Sequence, residues 1–220
     1  MNAAPMTGGK LLAAVALLAV LAACSPPGLG TEEVDPDESR RLEPGIVRAV
    51  DLLAVPELGA VRRLTEAEVP DYRGPEFRGE CGKAVAQPEA SRRLAAAFVG
   101  EQATLSEVIV ELDAEEAGEL IDNLKGGASG CDPEVTRTPQ GQSQTYQHGP
   151  LVDIGEVGED RVASRGTLEV EGTRVSMLTI LIRDDGRVLY GLVSTEGPLQ
   201  EEAAGRLAEV MEDSFEELAS

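Results

Sequence analysis

Three features of the chain predict an α+β fold, an antiparallel sheet with flanking helices. Residues 161–194 read as three consecutive strands joined by the turn pairs Glu171-Gly172 and Asp185-Gly186. Two segments, after Asp113 and after Leu199, carry apolar residues at helical spacing with charge between them. Two cysteines, Cys81 and Cys131, remain to staple the domain once the first, Cys24, is set aside.

Cys24 is set aside because of what precedes it. Lys10 is followed by 13 uncharged residues, 11–23, ending Leu21-Ala22-Ala23 before the cysteine. At ~1.5 Å per residue this run spans roughly 20 Å, short of the ~30 Å hydrocarbon core, so it reads as a signal segment. Leu21-Ala22-Ala23-Cys24 resembles a bacterial lipobox, which implies acylation of Cys24 and cleavage just before it. Residues 1–23 are then a lipoprotein signal peptide and Cys24 the lipidated first residue. Two acyl chains hold a protein on a membrane without a spanning helix. The alternatives are an ordinary signal peptide cut elsewhere and an uncleaved anchor.

Residues 24–44 hold Pro26, Pro27, Pro36 and five acids between Glu32 and Glu38, with almost nothing apolar. Such a stretch cannot bury enough surface to offset its ordering entropy, so it reads as a disordered acidic tether. The domain proper is expected over residues 45–220. Its 51-residue loop between Cys81 and Cys131, closed by a disulfide in an oxidising compartment, is worth about 4 kcal/mol on the chain-entropy model. A metal site would need more Cys or His at short spacing, and the chain has one His. No metal, cofactor or catalytic residue is expected.

Along the domain, Ile46, Val47, Val50, Leu53 and Ala54 fall at helical spacing until Pro56. Residues 60–69 read as a further short turn, and 71–82 as a loop delivering Cys81. Two strands follow at 92–99 and 104–112, joined by Gly100-Glu101-Gln102. Asp113 with Glu116 then starts a helix whose stripe is Ala117, Leu120, Ile121 and Leu124. A strand near 134–138 precedes a long polar excursion reaching 158. In residues 173–182 both alternating faces are apolar, which places that strand mid-sheet. Ala203, Leu207, Met211 and Phe215 give the last helix its buried stripe, and its acidic outer face argues against a membrane-surface role.

The chain carries 40 acidic against 19 basic residues, net −21. That surface repels phosphate backbones, so nucleic acid is excluded as a partner, and anionic headgroups offer no attraction either. The membrane is a partner only through the lipid.

Chemistry is hard to find in the motifs. Ser129, in Gly126-Gly127-Ala128-Ser129-Gly130-Cys131, follows a helix rather than a strand and lacks the last glycine of a nucleophile elbow. His148 sits in a polar stretch and reads as a solvated loop residue. Asp184-Asp185 and Glu115-Glu116 are explained by a turn and a helix start.

The order of leader, tether, helix, Cys81, two strands, capped helix, Cys131, three strands and final helix resembles a known family. It is similar to the extracellular sensor domains of actinobacterial membrane serine/threonine kinases and the related secreted lipoproteins of mycobacteria and streptomycetes. The residues carrying the likeness are Gly79-Glu80-Cys81-Gly82, the join from Leu120 to Cys131, and the hairpin plus helix from Val175 to Leu218. It covers about residues 46–218. The resemblance implies a cleft between sheet and helices for an unidentified small molecule or envelope component. Those kinase domains hold two disulfides and tryptophans, whereas this chain has one possible pair and no Trp. The expected role is therefore a binding or sensor-like module on the extracytoplasmic face of the cell membrane, its groove roofed by residues 138–150. An envelope hydrolase and a structural docking protein for another envelope protein are the alternatives.

Overall fold

The computed structural model describes residues 40–70, 72–75, 77, 90, 92–126, 132–137, 143–155, 161–170 and 172–219. The leader, Cys24, the tether to residue 39, Cys81, Ser129 and Cys131 lie outside them.

Eight strands form one antiparallel sheet in the order β1-β2-β3-β8-β7-β6-β5-β4. They are β1 (Val61–Arg63), β2 (Arg92–Gly100), β3 (Ala103–Glu111), β4 (Glu134–Arg137), β5 (Ser143–Val152), β6 (Arg161–Val170), β7 (Thr173–Asp184) and β8 (Arg187–Thr195). Two meanders, β1–β3 and β4–β8, are thus zipped together where β3 pairs with β8. The strand expected mid-sheet, β7, does lie there, between β6 and β8. Its hairpin to β8 turns at Asp185, whose φ of 51° is left-handed. Gly186 serves a different need, since a Cβ there would stand 2.4 Å from the Leu112 carbonyl oxygen.

Alternation along the strands gives the sheet two apolar faces. One is covered by α1 (Ala114–Gly126) through Ala117, Ile121 and Leu124, together with Phe77, whose ring lies 4.7 Å from that of Tyr190. Asp113 caps this helix as expected, its Oδ1 accepting from the backbone N–H groups of Glu115 and Glu116 at 3.0 and 2.9 Å. The other face is covered by α2 (Glu201–Glu216), which buries Ala203, Ala204, Leu207, Met211 and Phe215. Arg161, 2 % exposed at its side chain, ties β6 to α2 by an ion pair with Glu212 at 2.7 Å, and its Nη2 donates to Ile154 O at 2.6 Å.

The structure departs from the sequence reading in three places. Residues 46–54 form no α-helix: 3-10 turns at Arg40–Gly45, Asp51–Ala54 and Pro56–Leu58 replace it. Val50 and Leu53, taken as part of a stripe, are exposed, and the buried residues are Leu42, Ile46, Val47, Leu52, Val55 and Leu58, which follow no helical period. Pro44, Gly45 and Pro56 deny the segment a long helix, and Leu42, buried against α2's layer, draws residues 40–44 into the fold although their composition assigns them to the tether. Residues 61–63 are not a turn but β1, paired to the edge of β2. Most of the described part of the expected polar excursion is strand: β5 runs ten residues and pairs with both β4 and β6. Its Gly149 and Pro150 fall where the register slips between His148 and Leu151, the kind of irregularity at which a strand tolerates proline.

Candidate functional site

On the α2 face, residues paired across β6, β7 and β8 change character in rows. Ala163, Ile180 and Gly191 make one row, beneath Met211. The next is Arg165, Leu178 and Val193. Then the apolar surface ends: Gln147 of β5 pairs with Thr167 of β6, Thr167 with Ser176 of β7, and Ser176 with Thr195 of β8. Directly paired residues on antiparallel strands present their side chains on one face. Four hydrogen-bonding side chains therefore cross the sheet in a line. One step further, Glu169 stands opposite Arg174.

This polar row floors a cavity of about 550 Å³, within the ordinary range for small-molecule sites. One wall is the turn from β8 into α2, with Glu196, Pro198 and Leu199. That turn is fixed at its start by Thr195, whose Oγ1 donates to Gly197 O at 2.5 Å. Arg165 joins floor to wall, its Nη2 donating to Leu199 O at 2.9 Å, while its buried Nε meets no hydrogen-bond partner among the described residues. Arg174, exposed, borders the cavity on the opposite side of the row. His148 and Gly149 line it where β5 bulges.

His148 is thus a strand residue, half-buried at a cavity edge, and not the solvated loop histidine expected. Its ring lies 6.4 Å from that of Tyr146. Of the segment expected to roof a groove, residues 143–150 are instead part of the sheet in β5, with Gln147 to Pro150 bordering the cavity, and residues 138–142 lie outside the described residues. Asp184 and Asp185 form the β7–β8 turn, where Arg187 pairs with Asp184, and Glu115 and Glu116 start α1. The reading of motifs missed Arg165, Thr167, Arg174, Ser176 and Thr195. Their signal was the point where alternate positions turn polar, after Ala163 in β6 and before Leu178 in β7.

A second buried polar group lies nearer β1. Glu107 of β3 is fully buried on the α2 face, beneath the turns of residues 40–58; its Oε2 accepts from the Val47 N–H at 3.2 Å and its Oε1 has no partner among the described residues. Burial pushes its carboxyl up to about 8, with the Val47 bond and Arg63 pulling the other way. It does not line the cavity over the polar row, and its bond to Val47 ties it to the packing of the N-terminal segment. Among the described residues no group of three or more His, Cys, Asp or Glu is placed to hold a metal ion, and no helix is long and apolar enough to cross a membrane.

No protein-family model matches the chain, and no curated protein matches its sequence. Among solved structures it is similar to the extracellular domain of PknH from Mycobacterium tuberculosis, with a TM-score of 0.53 and 8 % identity over 84 % of this chain and 98 % of that one. That likeness is one of fold. An uncharacterised protein from Rhizobium leguminosarum aligns with 57 % of this chain and 96 % of its own, at 15 % identity and a TM-score of 0.28.

Proposed function

We propose that the chain is a lipid-anchored, extracytoplasmic binding module of sensor-domain type, and that the cavity over the polar row receives a small molecule. The observation that carries the reading is the row itself. Polar side chains drawn out of water on a sheet face cost free energy unless they are hydrogen-bonded, and along this row Thr195 is buried, Thr167 and Ser176 are half-buried and Gln147 is exposed. A row of them where helix α2 could have continued an apolar core makes sense as a surface for a ligand's polar atoms. The fold shared with the extracellular domain of PknH and the lipobox-like residues before Cys24 support the address: outside the membrane, held by acyl chains. Cys81 and Cys131 form the staple in this reading.

An enzymatic role draws less support. By register His148 pairs with Gly166, on the alternate positions to Thr167 and Ser176, an arrangement that does not favour a base and nucleophile pair. Native mass spectrometry of the full chain isolated from its host tests the binding role. A retained small molecule, released on mutation of Ser176 and Thr167 to Val, is the expected result; turnover on a broad hydrolase panel that disappears in His148→Ala would replace binding with catalysis. Membrane association that persists unchanged in Cys24→Ala would overturn the anchor.

A further inference from the structure

The two arginines beside the row specify what the cavity takes, an inference that rests on reading the cavity as a ligand site. Thr167 and Ser176 face each other on antiparallel strands, so Arg165 and Arg174, each two residues earlier in its own strand, lie on opposite sides of the row. Two residues of strand span roughly 7 Å, a distance an extended arginine side chain covers. Both guanidinium groups can therefore reach over the same patch of hydroxyls from either end.

The charge balance there runs against that of the molecule. The chain carries 40 acids to 19 bases, and seven arginines of the described residues are held in ion pairs with carboxylates. Among the described residues neither Arg165 nor Arg174 is so paired, although Glu169 stands opposite Arg174 in the register. Among the described residues the cavity lining holds these two cations against one acid, Glu196. In a chain with such an excess of acid, two guanidinium groups left to flank four hydrogen-bonding side chains are a recognition feature for negative charge. Guanidinium groups bind carboxylate and phosphate by paired, charge-assisted hydrogen bonds.

We propose that the cavity takes a small organic anion whose carboxylate or phosphate group is held between Arg165 and Arg174, with its other oxygens accepting from the side chains of Gln147, Thr167 and Ser176. Apolar contact with Leu178, Pro198 and Leu199 accommodates the remainder of such a molecule. The surrounding acidic surface rejects polyanions too large to enter.

Titration calorimetry of the full chain with citrate, inorganic phosphate and, as an uncharged counterpart, glycerol tests this. Citrate or phosphate should bind and glycerol should not, with affinity falling as salt is raised; which of the two binds tells carboxylate from phosphate. Arg174→Gln should weaken binding about tenfold or more, and Arg165→Gln likewise. Arg206→Gln makes the same charge change at a site paired with Glu57 and Glu202 and should leave binding unchanged. Because Arg165 also holds the α2 turn, Arg174→Gln, at an exposed position, decides the matter if the Arg165 variant fails to fold. Binding of glycerol without either anion would overturn the anion class and leave the cavity a ligand site. Absence of anion binding, or equal weakening by Arg206→Gln and Arg174→Gln, would likewise overturn it.

Discussion

Glu107 is an ionisable residue that the fold has every reason to avoid, and its titration has a definite sign. Its carboxyl is displaced from the ordinary 4.5 to about 8 by burial beneath the N-terminal turns. Below about pH 4.5 the group is protonated in folded and unfolded chain alike, and its stabilising contribution is fully present. Between there and about 8 the unfolded chain ionises and the folded one does not. Stability is therefore lost as pH rises, by up to about 1.4 kcal/mol per pH unit from this group. Denaturant unfolding of the wild type and Glu107→Gln at several pH values from 5 to 8 reads this directly: the two curves should diverge, the variant gaining on the wild type as pH rises. Parallel curves would mean that Glu107 is hydrated in solution.

Among the elements, α1 depends on one side chain for its start. Asp113 satisfies two backbone N–H groups that the helix itself cannot, so Asp113→Ala should cost about 1 kcal/mol in chemical denaturation while Asp113→Asn costs less. A variant as stable as the wild type would show the cap to be idle. This helix was legible from sequence because cap, stripe and glycine stop agree with one another. Strands β6 to β8 were legible for the same reason, with apolar runs bounded by turn pairs. β5 was not, since a strand whose neighbours leave one side open to a cavity needs few apolar residues, and Gly149-Pro150 inside it reads as a break unless the bulge is known. Residues 46–54 misled in the opposite way: enough apolar side chains at helical spacing, but burial decided by contact with α2 and the sheet. The polar row was illegible because Gln147, Thr167, Ser176 and Thr195 are unremarkable singly. Only the register of four strands aligns them.

At the scale of the whole molecule, export and cross-linking belong together. If the leader carries the chain out of the cytosol, Cys81 and Cys131 meet an oxidising environment and a disulfide between them adds about 4 kcal/mol. Reducing agent should then lower the melting temperature, and the Cys81→Ser, Cys131→Ser double variant should match the reduced protein; non-reducing peptide maps with both thiols free would remove the staple. A sheet with a helix on each face leaves its polar row at one end of the α2 layer, where the cavity lies. The most direct measurement is amide chemical-shift mapping of the isotope-labelled full chain as a polar extract of the host envelope is added. Resonances of Thr167, Ser176 and Thr195 should move together while those of α1 and its face of the sheet stay fixed. Shifts confined to α1, or none at the row, would contradict the account.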